Sequence, residues 1–456
     1  MGGYLAYSEY KESGVEWLGR IPAHWEVQRI KFLCQEIVAG PFGSSLTKDM
    51  YAPSGYKIYG QEQVIANDFT IGDYYVASEK YSEMERYTVL PGDLLVSCVG
   101  TFGKVAVVPK NAEKGIINPR LIKLRPDHSS VLSKYFGILL SSSISFFQFD
   151  RLSRGGTMGV VNIGILSELI APLPSLKEQH QIATFLDYKT AQIDALIAKK
   201  EALLGKLAEK RTALISQAVT KGLDLTVPMK DSGIDWLGEI PAHWDTPPLY
   251  ARYSIELGKM LHEGRITGDY LVPYLRNVDV QWDVINLHDL PEMDIRSHEY
   301  VRYLIRSGDL LICEGGEVGR TAIVPETEDL LAFQKALHRL RALSVEESPR
   351  FLFYTMFWAA SLGVFLAGGN PNTIPHLTGE KLRLYRFPKP PLSEQEAISR
   401  FLDREIEALE EQNTQIFQAI AKLREYRTAL ITNAVTGKID VRDLKLPAPI
   451  PAEANR

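Results

Sequence analysis

The sequence predicts an α+β protein in which two β-rich domains are joined by two long antiparallel helices forming a coiled coil, with a pseudo-twofold internal repeat. Three observations predict it. The phrase "SGVEWLGRIPAHW" at residues 13–25 returns as "SGIDWLGEIPAHW" at 232–244. Residues 177–220 and 393–436 contain no proline and only one glycine between them, which suits long helices. The stretches before each of them mix glycine, proline, aromatic and β-branched residues in short alternating runs, the texture of short strands and turns.

The repeat runs the length of the chain. Trp17 and Trp236 are 219 positions apart, and beyond them the shift settles at 216. "PGDLLVSCVGTFGKVAVVP" (91–109) answers to "SGDLLICEGGEVGRTAIVP" (307–325), and "KEQHQIATFLD" (177–187) to "SEQEAISRFLD" (393–403). One long unit is duplicated, unlike the short stacked units of a solenoid. Between the shared phrases, residues 45–84 and the segment around 261–299 have little in common. A shared frame with divergent loops points to one task performed on two different targets.

The expected order is an N-terminal segment and first domain (1–172), a first spacer helix (173–222), a joint segment and second domain (223–390), a second spacer helix (391–437) and a C-terminal tail (438–456). In the second helix Leu402, Leu409, Ile416, Leu423 and Leu430 recur every seven residues, with Ile406, Asn413, Ile420 and Ala434 in a second row. In the first, Leu186, Ile193, Leu207 and Leu214 do the same, with Ile197 and Leu204 alongside and Thr190 and Lys200 interrupting. This is the two-row seam of a coiled coil, in which a polar residue such as Asn413 fixes register. Two separate amphipathic helices, each packed on its own domain, are the alternative. Trp17, Trp25, Trp236 and Trp244 read as joint residues between helix end and domain, or as a surface for another subunit. His24 and His243 recur only within that phrase, which speaks against catalysis.

At 456 residues the chain exceeds one ordinary core. Its 45% hydrophobic and 23% charged residues fit a globular protein in water. No apolar run is long enough for a bilayer and the start "MGGYLAYSEYKESG" lacks a signal-peptide pattern, so a cytoplasmic location without membrane contact is expected. Cys34, Cys98 and Cys313 have neither the number nor the spacing of a disulfide framework or zinc site. A net charge of −5 excludes a general nucleic-acid coat, so a DNA role would need local basic loops or a cationic partner.

Catalytic motifs are not found. "GTFGK" and "GGEVGR" lack the Walker and dinucleotide spacings and sit between strand-like runs, which favours hairpin turns. There is no Asp/Asn-Pro-Pro-aromatic tetrad of an amino methyltransferase, no nuclease carboxylate cluster, and no metal-ligand arrangement among the nine histidines. Recognition remains. Arg can read guanine, and Asn or Gln adenine, from base edges. The divergent loops supply Gln61, Gln63, Arg120, Arg154 and Asn162 in copy one, and Arg276, Asn277, Asn370, Asn372 and Thr373 in copy two. Lys48, Lys104, Arg265 and Arg320 are candidates for phosphates.

"GPFGSSLTKDMY", the glycine hairpin phrases, the helix starts "PLPSLKEQHQIATFLD" and "PPLSEQEAISRFLD", and "RTALI" followed by "AVT" together resemble the DNA specificity subunit of type I restriction-modification systems. The resemblance covers nearly the whole chain, in both copies. It implies two target-recognition domains, each reading half of an asymmetric split site in double-stranded DNA, held apart by an antiparallel helical pair. It also implies a chain without catalysis or cofactor of its own. Two methyltransferase subunits would bring S-adenosylmethionine and modify adenine, and two translocase/nuclease subunits would bring ATP and Mg2+. Copy two departs from the pattern, with "GKMLHEGRITGDY" in place of "GPFGSSLTKDMY"; Lys259, His262 and Arg265 are carried over there. The rivals are a two-headed scaffold or regulator that grips DNA without a methyltransferase, and an enzyme with unusual motifs.

Overall fold

The structure is a computed structural model and describes residues 4–98, 104–153, 162–261, 264, 266–366 and 376–444. The fold is α+β and divides into two compact units, residues 1–200 with 418–456, and residues 201–417. The first long helix spans Leu176–Lys221 and the second Leu392–Val435. Each unit therefore combines one globular domain with part of both helices.

In unit one an antiparallel sheet runs in the order Cys34–Ala39, Leu121–Pro126, Leu94–Ser97, Val105–Val107. A second, mixed sheet runs Tyr75–Val76, Tyr56–Tyr59, Gly115–Ile117, Thr88–Val89, with its two central strands parallel. The apolar run Leu94–Val96 is buried on both faces, as a strand covered on both sides requires. Unit two repeats this order: Tyr253–Leu257, Leu337–Ala342, Leu310–Cys313, Thr321–Ile323 in one sheet, and Glu292–Asp294, Leu271–Leu275, Leu331–Phe333, Leu304–Ile305 in the other. The duplication is thus one of topology as well as of phrases.

Even buried cations keep their places. Lys123 is 1% exposed, and its ammonium donates to the carbonyls of Arg86 and Thr88 at 2.9 and 3.0 Å and faces Glu36 at 3.0 Å. Arg339, 216 positions on, donates to Leu304 O at 2.7 Å and Val301 O at 3.3 Å. Burial lowers the pKa of both groups, and the bonds to carbonyl oxygen offset the cost of desolvation.

The Glu-Gln pair at each helix start explains its recurrence. Gln179 is wholly buried; it accepts from Leu132 N at 2.8 Å and donates to Ser130 O and Pro174 O at 2.9 Å. Gln395 does the same with Ser348 N, Glu346 O and Pro390 O at 2.9, 3.1 and 2.8 Å. The preceding glutamates hold the tryptophan joints. Trp25 donates to Glu178 at 3.3 Å and Trp244 to Glu394 at 2.8 Å, both indoles being fully buried. Trp17 and Trp236 also pack on aromatic neighbours, Phe147 at 6.4 Å and Trp358 at 5.4 Å between ring centres.

Within each unit the helices pack antiparallel. In unit one Arg427 donates to Asp194 at 2.8 and 3.2 Å, and Gln181, lower on the first helix, reaches Arg442 O beyond the end of the second at 3.1 Å. In unit two Arg211 lies 3.7 Å from Glu410, and Ile215, Ala218 and Val219 share a core with Ile398, Leu402 and Ile406. The seam positions Leu186, Ile193, Leu207, Leu402, Leu409, Ile416 and Leu430 are buried, while Leu214, Leu423 and Asn413 are half-buried. Among the described residues no helix is long and apolar enough to cross a membrane, and no group of side chains could hold a metal ion.

Candidate nucleic-acid interface

Each domain builds one end from the same backbone frame. In unit one the chain reverses between Ile117 and Leu121. Asn118 N donates to Tyr59 O at 2.8 Å, and Cys98 N donates to Arg120 O at 3.0 Å. In unit two Gln334 N donates to Leu275 O at 3.0 Å, and Glu314 N to Ala336 O at 2.9 Å. A glycine faces each reversal at a distance no side chain tolerates. A Cβ on Gly40 would lie 1.9 Å from Asn118 O, and one on Gly258 2.2 Å from Gln334 O.

This frame brings together Gln61, Ser97, Asn118 and Arg120 in copy one. Gln61 donates to Ser97 Oγ at 2.7 Å, Asn118 Oδ1 accepts from Arg120 N at 2.9 Å, and the Arg120 side chain is exposed. The positions 216 further on hold Asn277, Cys313, Gln334 and Ala336. There Asn277 donates to Gly315 O at 3.1 Å and accepts from Arg320 at 3.0 Å. The seats are common and the side chains differ. Asn118 and Gln334 escaped sequence reasoning; the constant 216 shift was the signal that could have found them.

Several residues expected at the interface make hydrogen bonds within the chain. Gln63 is fully buried; it accepts from Gly60 N at 2.8 Å and donates to Ile71 O at 3.0 Å, so it closes its own turn. Asp279 occupies the same seat in copy two, accepting from Arg276 N and from the Arg276 guanidinium at 2.8 Å each. Arg276 is consequently held to its own turn, with its side chain 38% exposed. Arg320 is not a free phosphate ligand. Its side chain is 13% exposed, and it donates to the carbonyl of Asn277 at 2.9 Å. Lys259 is tied to Glu299 at 2.7 Å and to Asp294 O at 2.8 Å. Asn162 caps the helix Ile163–Glu168 by accepting from Ile165 N at 2.9 Å. Lys48 and Lys104 are exposed. Arg154, His262, Arg265, Asn370, Asn372 and Thr373 lie outside the described residues.

The electrostatics support the loops around this frame. Asp294 is held below the usual carboxylate range by hydrogen bonds from the backbone of Tyr270, Thr267 and Gly268, which fixes the 266–270 loop on its strand. Cys98, beside the reversal, is pushed up to about 12 by burial and is an inert thiol.

Comparison with known proteins gives the same architecture. The family described as type I restriction modification DNA specificity domain matches residues 22–204 and 272–419. The type I restriction enzyme MjaVIII specificity subunit of Methanocaldococcus jannaschii is 24% identical over 454 residues, covering 95% of this chain and 98% of its own. The EcoBI specificity subunit of Escherichia coli is 25% identical over 370 residues, covering 78% and 75%. Two solved structures share the fold. A chain from a study of complex assembly and conformational transition of the type I R-M system has a TM-score of 0.67 at 19% identity, with 92% and 99% coverage. The HsdS subunit from Thermoanaerobacter tengcongensis has a TM-score of 0.58 at 17% identity, with 94% and 100% coverage. With both copies matched by the family, the chain belongs to the DNA specificity subunits of type I restriction-modification systems.

Proposed function

We propose that each globular domain reads one half of an asymmetric, split DNA site, that the helical pair sets the spacing between halves, and that the same helices dock two methyltransferase subunits. Type I specificity chains are the non-catalytic, DNA-recognising components of their systems. The domains at 1–172 and 223–390 would be the reading heads, and the helices at 173–222 and 391–437 the spacer. The observation that carries this reading is the shared frame with unlike occupants: Gln61 against Asn277, Lys104 against Arg320, Asn118 against Gln334, Arg120 against Ala336. Identical seats imply the same approach to DNA, and different side chains imply different half-sites.

In copy one Arg120 and Gln61 are the base readers we favour, with Lys48 on phosphates. In copy two Asn277 is the described candidate. Neutralisation of the remaining phosphates falls to the methyltransferase partners, because the chain itself carries a net charge of −5. Those partners would supply S-adenosylmethionine, and translocase/nuclease subunits, two per full complex, ATP and Mg2+. The test is to map methylated adenines genome-wide with and without the gene. A split motif that disappears with the gene is expected. Arg120→Ala should relax one half of that motif alone and Asn277→Ala the other. Methylation unchanged by deletion, or both substitutions relaxing the same half, would overturn the reading.

A further inference from the structure

The two copies treat one place in the fold in opposite ways. In unit two the angle between the domain and the helical pair is filled by the chain's own aromatics. Trp282 and Phe357 meet edge to face with centroids 5.0 Å apart, Phe353 stands 6.3 Å from Trp282, and the Arg211 guanidinium covers Phe357 at 5.2 Å. Around them Arg350 bridges to Asp403 of the second helix and to Asp283, and Trp282 donates its indole N–H to Glu317.

In unit one the polar frame is retained and the three aromatics are gone, with Phe146 remaining on the lining. Lys134 pairs with Asp187 where Arg350 pairs with Asp403, and Arg427 pairs with Asp194 where Arg211 pairs with Glu410, all at the 216 shift. Asn67 and Asp283 are both left-handed, at φ 50° and 60°, so Ala66 and Trp282 occupy the same seat before them. The aromatics Trp282, Phe353 and Phe357 become Ala66, Gly137 and Ser141. What remains is a cleft of about 700 Å³, floored by Val105, Val107, Leu186 and Ile431. Its lining carries Lys104, Lys134 and Arg427; Lys134 is paired with Asp187 and Arg427 with Asp194, which leaves Lys104 as the unpaired cation. Lys104 is exposed and makes no ion pair among the described residues.

We propose that this cleft is a docking site for a segment of a partner polypeptide that presents an aromatic side chain flanked by carboxylates. Unit two shows what the seat accepts, an indole and a phenyl ring beneath a guanidinium. The unpaired Lys104 at the cleft of unit one favours a carboxylate beside whatever ring enters. Aromatic anchors in a desolvated pocket with an oppositely charged rim are a common means by which protein surfaces hold a short segment. The acidic composition of this chain makes such a cation a local feature rather than a general one.

The probe is an acetylated Asp-Asp-Trp-Asp-Asp amide carrying 5-fluorotryptophan, titrated into the full chain and followed by fluorine NMR. Saturable binding of one peptide per chain is expected, with a Lys-Lys-Trp-Lys-Lys peptide roughly tenfold weaker or more. Installing the copy-two side chains, Ala66→Trp with Ser141→Phe, should abolish binding without lowering the thermal midpoint, since both positions are exposed. Lys104→Glu should weaken the acidic peptide and leave the fold intact. If the double variant does not fold, the wild-type chain still decides. Nuclear Overhauser contacts from the indole to the methyls of Val105, Val107 and Ile431 support the site, and their absence at saturation overturns it. Equal binding to the filled variant, indifference to peptide charge, or displacement of the peptide by duplex DNA would also overturn it, the last by assigning the cleft to nucleic acid.

Discussion

Glu394 accepts the indole N–H of Trp244 at 2.8 Å with one carboxylate oxygen, while the other lies 2.7 Å from His243 Nε2. The first turn of the second helix is thereby fixed to the repeated Pro-Ala-His-Trp phrase. The same ring lies over Gly222, where the first helix ends in a left-handed residue at φ 74°. Trp244 is therefore where one long helix arrives and the other departs. In unit one Trp25 sits in the same way between Glu178 and Gly437. Trp244→Phe removes the donor and leaves part of the site unfilled. Its expected cost is about 2 kcal/mol, from one charge-assisted bond and lost packing. Denaturant unfolding monitored by probes in each unit should show the loss in unit two; a change below roughly 0.5 kcal/mol would contradict this account.

That joint marks the boundary of what could be read from the sequence. The repeat, the helices and the seam were legible because each is a periodic signal carried by many residues, and Leu186, Ile193, Leu402 and Leu409 are buried as their spacing predicts. The interface was only partly legible. Gln61 and Gln63 look alike in the sequence, yet one faces Ser97 at the domain end and the other satisfies the backbone of its own turn. Which polar side chain a turn consumes depends on local backbone geometry. Whether Arg320 is free depends on Asn277, 43 positions away. Neither dependence leaves a pattern in sequence spacing.

The pair Arg252–Glu347 gives a second prediction. Its side chains are 2% and 1% exposed and are joined at 2.7 Å, and the guanidinium also donates to Phe387 O and Pro388 O at 3.4 and 3.3 Å. Glu347→Gln leaves Arg252 charged in a site that no longer neutralises it, at a cost of about 3–5 kcal/mol. Replacing both, Arg252→Met with Glu347→Leu, should recover part of that loss, because Arg252 is no longer left charged in a buried site, while Lys389, 3.3 Å from Glu347, still loses a partner. Calorimetric midpoints of wild type, single and double variants provide the test; a double variant as unstable as the single one would show that the pair itself is the source of stability.

His338 makes unit two sensitive to pH. Its Nε2 lies 2.7 Å from Leu377 O, and its Nδ1 is buried without a partner. Burial lowers its pKa, and the bond to Leu377 only partly opposes this. A base depressed in the folded state is protonated first in the unfolded chain. The stability it protects is therefore complete above the unfolded value of about 6.5 and is lost as pH falls below it towards the folded pKa. Thermal midpoints of unit two should fall between about pH 7 and pH 5, and His338→Gln should flatten that part of the profile. Parallel profiles for the two proteins would mean that His338 does not titrate in this window.

Asn413 supplies the last prediction, and it separates stability from register. It sits in the second row of the seam, half-buried, with an Oδ1 that has no hydrogen-bond partner. Arg211 Nε is also buried without a partner, while its Nη1 lies 3.7 Å from Glu410. An unmet amide oxygen in an apolar seam costs about 1–2 kcal/mol, so Asn413→Leu should raise the midpoint of unit two. The second helix then loses the polar position of its seam that penalises a slipped alignment. Cysteine pairs placed to crosslink the helices in the native register and one heptad away would measure this. Native crosslinking alone is expected in the parent chain, and a slipped product should appear in the Leu variant. A Leu variant that is more stable and crosslinks only in register would leave Asn413 with no role in alignment.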